Sequence, residues 1–231
     1  MNQGLRFGLT ALISLAAVWA GAEVYLSRFA APVEHGVPVP AGESSPATGQ
    51  DLDDEPVLGV ASRVKIPEKL PDFKLADLEG RLTSVSQWQG KSLMINFWAT
   101  WCPPCRREVP LLQALHAEKS GQDTLVLGIA VDYPDKVREF RDRYKIAYPL
   151  LVGEQDALDV AAALGVASPA FPFTVFTDRR GEIVALYLGE LKRPEADTIL
   201  GVVGDLNQDR IALPAARTRI AELLGRIRNK G

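Results

Sequence analysis

The sequence predicts an α/β domain in which helices flank a mixed sheet of parallel and antiparallel strands, starting near residue 64 of the 231-residue chain. Two continuous apolar runs, LMINFW at 93–98 and TLVLGIAV at 124–131, are typical of buried strands. Helical signals follow each run. Near the end, FTVFTD and EIVALYLG flank Arg180-Gly181, which predicts a strand-turn-strand pair. This alternation of strands and helices favours a mixed α/β sheet.

The elements before residue 146 are each justified by local signals. DFKLADLEGRLTSV alternates on both sides of Glu79-Gly80, which predicts a hairpin. A helix should begin at about Cys102, and Pro110 inside it predicts a kink. Pro134 is placed to open the next helix, which should end near Lys145.

The second half of the domain continues the alternation. YPLLVG predicts a short strand, and DALDVAAALG predicts a helix closed by Gly165. After the strand pair, two helices are predicted over about 194–208 and 214–229. The tail from about Arg210 exceeds a minimal domain of this class. The sequence leaves open whether that tail packs as a capping helix or binds a partner.

Residues 1–30 predict a signal-anchor segment. Arg6 precedes an uncharged run from Phe7 to Ala22, which is intermediate between a signal-peptide core and a full membrane span. We favour an uncleaved transmembrane anchor. The alternative is cleavage at the small-residue site Ala20-Gly21-Ala22 and release of the domain. Both interpretations place the domain on the extracytoplasmic side, with the N-terminus left in the cytoplasm.

Residues 31–63 predict a disordered tether, because five prolines and an acidic cluster leave little to bury. The predicted organisation is therefore an anchor at 1–30, a linker at 31–63 and the α/β domain at 64–231. The net charge of −3 and the absence of a basic tract argue against a nucleic-acid partner. Two cysteines are too few for a disulfide scaffold.

The two cysteines, Cys102 and Cys105, are separated only by two prolines. A structural zinc site needs four ligands, and the chain has no second cysteine pair. Arg106 stands where a haem-attachment motif needs histidine, and Ala99 stands where a peroxiredoxin-type peroxidase would have threonine. A redox-active dithiol between a buried strand and a helix is the interpretation that remains.

The position of the pair gives this interpretation a physical basis. A thiolate at a helix N-terminus faces unpaired N–H groups and the positive end of the helix dipole, which lower its pKa. The second cysteine, one turn into the helix, can then resolve a mixed disulfide. The hypothesis requires the sulfur of Cys102 to be exposed at the mouth of the helix.

The stretch NFWATWCPPCRREVP at 96–110 resembles the signature of membrane-anchored, extracytoplasmic thioredoxin-like proteins of the TlpA/ResA kind. The resemblance extends from about Pro71 to Gly189 and includes PDFKLADLEGRLTSVSQWQGK and FPFTVFTDRRGEIV. It implies a thioredoxin-like fold and thiol–disulfide exchange, usually in the reducing direction, with no cofactor beyond the disulfide. It also implies a bacterial inner-membrane location with the domain in the periplasm.

The same resemblance implies the partners. The clients would be disulfide-bearing proteins such as apo-cytochrome c or an oxidised metallochaperone. A transmembrane thiol reductase would supply the electrons. Two alternatives stay open: the same scaffold could act as a disulfide oxidant, or the two thiolates could hold copper. Copper would need a third soft ligand, and Met94 in a buried strand is the one nearby candidate.

The resemblance also implies roles for individual residues. Cys102 is the expected nucleophile, Cys105 the resolving thiol and Trp101 an exposed contact for partners. Glu108 matches an acidic residue that some members keep near the active site, and it could take the proton of Cys105. The alternative is a surface carboxylate paired with neighbours such as Arg107.

Pro172 is the expected cis-proline, so that the backbone of Phe171 can pair with an extended substrate segment. Pro169 is a rival for this position. Asn96 stands where cytoplasmic thioredoxins carry a buried acid. Because an amide cannot act as a base, this substitution favours the role of Glu108.

Overall fold

A computed structural model describes residues 66–119 and 123–229. The predicted anchor and linker therefore lie outside the described residues. Within the described ranges, no helix is both long enough and apolar enough to cross a membrane.

A seven-stranded mixed sheet organises the described part of the chain, with strand order β2-β1-β5-β4-β3-β6-β7. β3 and β5 run parallel to β4, and the other neighbouring pairs are antiparallel. The hairpin of β1 and β2 surrounds Glu79-Gly80. The strands are β1 Lys74–Asp77, β2 Leu82–Ser84, β3 Ser92–Trp98, β4 Thr124–Val131, β5 Leu150–Gly153, β6 Phe173–Thr177 and β7 Ile183–Leu188.

Five α-helices and one short 3-10 helix are described around this sheet. They are the 3-10 helix Val85–Trp88, then α1 Pro103–Lys119, α2 Pro134–Tyr144, α3 Gln155–Ala163, α4 Arg193–Asn207 and α5 Leu213–Arg228. Pro110 lies inside α1, and α2 begins at Pro134 as predicted. The thioredoxin-like α/β architecture predicted from the sequence is therefore observed.

The two faces of the sheet pack against different helices. Along β3, alternate side chains point to opposite faces, so Leu93, Ile95 and Phe97 join the core under α3. Met94 and Trp98 join the core formed with α1, α2, α4 and α5. Asn96, between them in the alternation, consequently faces α1.

Strand pairing brings the start of α1 and the start of β6 together at one end of the sheet. β3 leads through residues 99–102 into α1, and β6 pairs with β3 so that Phe173 lies opposite Phe97. Their rings stack at a centroid distance of 4.4 Å. The Phe171-Pro172 dipeptide directly precedes β6 and therefore lies at the same end of the sheet as Cys102.

The C-terminal tail packs as part of the domain, which answers the question that the sequence left open. Ala216, Ile220 and Leu224 of α5 are buried in the core shared with α4. Arg217 of α5 donates two hydrogen bonds, of 2.6 and 3.2 Å, to the carbonyl oxygen of Ile183 at the start of β7. The N–H of Ile183 donates to the carbonyl oxygen of Glu68 at 2.8 Å.

Candidate active site

Cys102 and Cys105 form a disulfide at the N-terminus of α1, with their Cα atoms 5.3 Å apart. The helix begins at Pro103, so Cys102 directly precedes it. The N–H of Cys105 lies 3.3 Å from the sulfur of Cys102. The N–H of Arg106 instead donates to the carbonyl oxygen of Cys102 at 3.2 Å, so it does not serve the sulfur. Because Pro103 and Pro104 have no N–H, Cys105 supplies the amide nearest to this sulfur in the first turn.

The prediction that the sulfur of Cys102 is exposed is wrong for the disulfide form. Cys102 is 3 % exposed and Cys105 is 1 % exposed. The sulfur of Cys102 is bonded to that of Cys105 in α1, and the carbonyl oxygen of Phe171 lies 3.6 Å from it. Trp101 and Pro103 on either side are both exposed, so the sulfur lies just beneath the surface.

The Phe171-Pro172 peptide bond is cis, which decides between the two prolines considered from the sequence. Among the described residues it is the one cis bond, so Pro169 does not hold this position. The carbonyl of Phe171 faces the sulfur of Cys102 as a van der Waals contact, because a disulfide sulfur has no hydrogen to donate. The backbone before the cis-proline therefore borders the disulfide.

Two exposed aromatic side chains lie at the end of the sheet that carries the disulfide. Trp101 is 65 % exposed, and its ring meets that of Phe171 edge-to-face at 6.1 Å between centroids. Tyr133, which follows β4, is 61 % exposed. Two such exposed residues offer apolar contact area to another molecule.

The loop that carries Trp101 is fixed by Asp132, a residue that the sequence analysis missed. The buried carboxylate of Asp132 accepts hydrogen bonds from the N–H of Thr100 at 3.0 Å and from its hydroxyl at 2.5 Å. It also accepts from the N–H of Tyr133 at 2.8 Å. The available signal was the position of an acid directly after a buried strand that neighbours β3.

Glu108 is buried, one turn below Cys105 on α1, with 1 % of its surface exposed. Its Oε1 accepts from Asn96 Nδ2 at 2.9 Å, and its Oε2 accepts from the N–H of Leu191 at 3.0 Å. Burial raises the pKa of Glu108 to about 7, although these two donors oppose the rise. The interpretation of Glu108 as a surface carboxylate is wrong, because its helix face packs against β3. Arg107 pairs with Glu190 instead.

Asn96 of β3 links Glu108 to the sheet. Asn96 Nδ2 also donates to the hydroxyl of Thr174 on β6 at 3.1 Å. Asn96 Oδ1 is buried and has no hydrogen-bond partner. Thr174 and Leu191 were not identified from the sequence, because they lie far along the chain and strand pairing alone brings them here. Strands β3 and β6 and the loop that carries Leu191 thus surround a single carboxyl group with a pKa of about 7.

Within residues 66–119 and 123–229, no cluster of three or more histidine, cysteine, aspartate or glutamate side chains could hold a metal ion. Met94, the nearby soft ligand considered for copper, is fully buried in β3. The arrangement instead provides the parts for disulfide exchange. These are a disulfide at a helix N-terminus, the backbone of a cis-proline dipeptide beside it and a buried acid one turn below.

The family model for the AhpC/TSA family matches residues 66–186. The thiol-disulfide oxidoreductase ResA of Geobacillus thermodenitrificans is 32% identical over 133 residues, covering 57% of this chain and 74% of that protein. The ResA of Halalkalibacterium halodurans is 32% identical over 147 residues, covering 58% and 81%. The thioredoxin-like protein YneN of Bacillus subtilis is 33% identical over 136 residues, covering 56% and 75%.

Solved structures show the same fold. A secreted thiol-disulfide isomerase from Corynebacterium glutamicum is 27% identical, with a TM-score of 0.51 over 55% of this chain and 80% of that chain. A thioredoxin-family thiol:disulfide interchange protein from Chlorobium tepidum matches over 67% and 97%, with a TM-score of 0.50. At 20% identity, the latter shows the fold alone. With its redox site, its fold and these relatives, the chain belongs to the AhpC/TSA family and is a ResA-like thiol-disulfide oxidoreductase.

Proposed function

We propose that this protein reduces the disulfides of client proteins on the extracytoplasmic side of a bacterial inner membrane, through the Cys102–Cys105 dithiol. The observation that supports this most directly is the disulfide at the start of α1, bordered by the cis-proline backbone and underlain by Glu108. The reaction is thiol–disulfide exchange, which passes through a mixed disulfide.

In the first step, the thiolate of Cys102 attacks one sulfur of a client disulfide. A bond forms between this sulfur and Cys102, and the second client sulfur leaves as a thiolate. The N–H of Cys105 and the N-terminal end of α1 stabilise the attacking thiolate. Cys102 precedes the helix and lies between the exposed Trp101 and Pro103, which favours its sulfur over that of Cys105 as the attacking one.

In the second step, Cys105 loses its proton and attacks the sulfur of Cys102. The Cys102–Cys105 disulfide forms, and the client leaves with two reduced cysteines. Glu108 lies one turn along the same helix and takes the proton of Cys105, directly or through one water. Its pKa of about 7 suits this role, because proton transfer is most efficient when the pKa lies near the working pH.

The client is held by its backbone and by apolar contacts. The backbone of Phe171, before the cis bond to Pro172, pairs with an extended client segment beside the disulfide. Trp101, which precedes Cys102, and Tyr133, which follows β4, supply exposed aromatic surface for this contact. This arrangement fits a protein client with an extended, disulfide-bearing segment, such as apo-cytochrome c or an oxidised metallochaperone.

The reducing direction is supported by the small number of donors around Cys102. Pro103 and Pro104 supply no N–H, and that of Arg106 serves a carbonyl, so the thiolate is stabilised less than it would be with a full set of amides. A less stabilised thiolate makes the reduced form a better electron donor. One unit of pKa corresponds to about 30 mV for this two-electron couple, so the prolines bias the direction.

The partners and location follow from the same proposal. Residues 1–30 anchor the chain in the membrane and residues 31–63 tether the domain, with secretion after cleavage as the alternative. A reductase on the oxidising side of the membrane needs electrons from the cytoplasm. A transmembrane thiol reductase is therefore the donor that we propose.

Trapping tests the proposed roles. In Cys105→Ala, the mixed disulfide on Cys102 cannot be resolved, so we expect stable, reductant-sensitive adducts with both client and donor, identified by mass spectrometry. Cys102→Ala is the matched control and should trap nothing. Equal trapping by both variants, or by neither, contradicts the assignment of the nucleophile.

A redox titration tests the direction separately. We expect a reduction potential closer to that of thioredoxin, about −270 mV, than to that of the oxidant DsbA, about −120 mV. A potential near the DsbA value, together with a fully oxidised pair in cells, would favour the oxidant function instead.

A further inference from the structure

We propose that the surface ion pair between Arg107 and Glu190 is a positioning pair, which sets how readily the buried Glu108 releases its proton. This inference rests on the proposed role of Glu108 in disulfide exchange. It assigns a control function to two surface residues that do not touch the cysteines.

The pair and the buried carboxyl belong to one contact between α1 and the loop before α4. Arg107 Nε and Nη2 donate to Glu190 Oε2 at 2.9 and 2.5 Å. The residues that follow Arg107 and Glu190 in the chain make a buried contact, in which the N–H of Leu191 donates to Glu108 Oε2 at 3.0 Å. The side chain of Glu190 is only partly exposed. Its charge therefore acts on Glu108 through a path that includes protein as well as water.

Glu190 and Arg107 act on Glu108 in opposite directions. The negative charge of Glu190 disfavours a second negative charge at Glu108 and raises the pKa of that carboxyl. Arg107 neutralises Glu190 and holds it in place, so it limits this effect. Burial remains the largest cause of the raised pKa, and the pair adjusts it.

Other neutral and charged groups lie around Glu108 and its neighbours. From the sheet, Asn96 and Thr174 contribute neutral polar groups. Tyr148 and Tyr187 also sense the charge of Glu108, and both have raised pKa values, mainly because of burial, so they stay neutral at physiological pH. Glu195 and Arg228 carry charge and act on Tyr187, whereas Glu190 is the charged group that acts on the pKa of Glu108.

The test is a carboxyl titration of Glu108 in the disulfide form, followed by ¹³C NMR of the labelled side chain. Glu190→Gln keeps an oxygen for Arg107 and removes the charge, so we expect the midpoint to fall by about half a pH unit. Arg107→Gln leaves Glu190 unneutralised, so the midpoint should rise by a similar amount. Arg107→Lys keeps the charge and should stay near the wild-type midpoint of about 7.

Opposite shifts are the signature of electrostatic control. If both charge-removing variants move the midpoint in the same direction, the pair only holds the loop and the proposal is overturned. No shift in either variant overturns it as well. Glu118→Gln breaks another surface pair on α1, with Arg193, and should leave the midpoint unchanged.

This readout separates the inference from the proposed function. The titration uses the resting disulfide form and requires no turnover or client. If the Cys105→Ala trap fails while the opposite shifts are observed, the proposed function is wrong and the electrostatic coupling stands. If trapping succeeds and the shifts are absent, only the present inference fails.

Discussion

Replacing Glu108 by glutamine should remove a large pH dependence from the stability of this protein. In the folded protein, burial raises the pKa of Glu108 to about 7, from an ordinary value of 4.5. Glutamine has the shape of the protonated carboxyl and does not ionise. Its amide can also donate to the unpartnered Oδ1 of Asn96.

The sign follows from proton binding in the two states. Below pH 4.5, the Glu108 carboxyl holds its proton in both the folded and the unfolded chain, and its ionisation takes nothing from the free energy of unfolding. Between pH 4.5 and 7, the unfolded chain releases the proton while the folded chain keeps it, so the free energy of unfolding falls as pH rises. At about 1.4 kcal/mol per pH unit, the loss across this window is about 3 kcal/mol. Above pH 7, both states are ionised and the loss is complete.

Urea unfolding of the disulfide forms at pH 4.5 and pH 8 measures this difference. We expect the free energy of unfolding of the wild type to fall, relative to that of Glu108→Gln, by about 3 kcal/mol between these pH values. Glu222→Gln, at an exposed position of α5, controls for the loss of one carboxylate. Parallel pH profiles for the wild type and Glu108→Gln would refute the burial argument.

Three further changes test other parts of the structure. Pro103→His adds an N–H near the sulfur of Cys102 and should raise the reduction potential by tens of mV, measured against glutathione; an unchanged potential contradicts the missing-donor argument. Trp101→Ala should raise the KM for a protein client several-fold at unchanged kcat, while stability stays within about 0.5 kcal/mol; an unchanged KM removes Trp101 from the docking surface. Leu115→Ala, in the fully buried face of α1, should cost about 2–5 kcal/mol in urea unfolding, and a cost below 1 kcal/mol would mean that this face is less tightly packed than described.

Much of the fold could be predicted from local signals. The apolar run at 124–131 coincides with β4. A strand that is buried on both faces is apolar along its length, so the ends of the apolar run mark the ends of the strand. Pro134 marked the start of α2 through its fixed backbone angle and missing N–H. The cysteine pair was equally local, since its two-residue spacing between an apolar run and a predicted helix puts Cys102 just before the helix and Cys105 in its first turn.

The environment of Glu108 could not be predicted in the same way. Its i, i+3 spacing from Cys105 put it on the right face of the helix, but charged residues on either side made a solvated face equally reasonable. What buries it is the packing of α1 on β3, and what satisfies it includes the N–H of Leu191, 83 residues along the chain. The exposure of Cys102 was overestimated for a related reason, because the backbone that covers it comes from Phe171.

The outer edge of the sheet has a consequence for self-association. Strand β7 ends the sheet, and such an edge normally offers free backbone groups to a strand from another molecule. At Ile183 both groups are already occupied: Glu68 accepts from its N–H, and Arg217 donates to its carbonyl. A neighbouring copy therefore finds no hydrogen-bonding partner where β7 begins. This occupied position protects the start of β7 against edge-to-edge pairing with another copy.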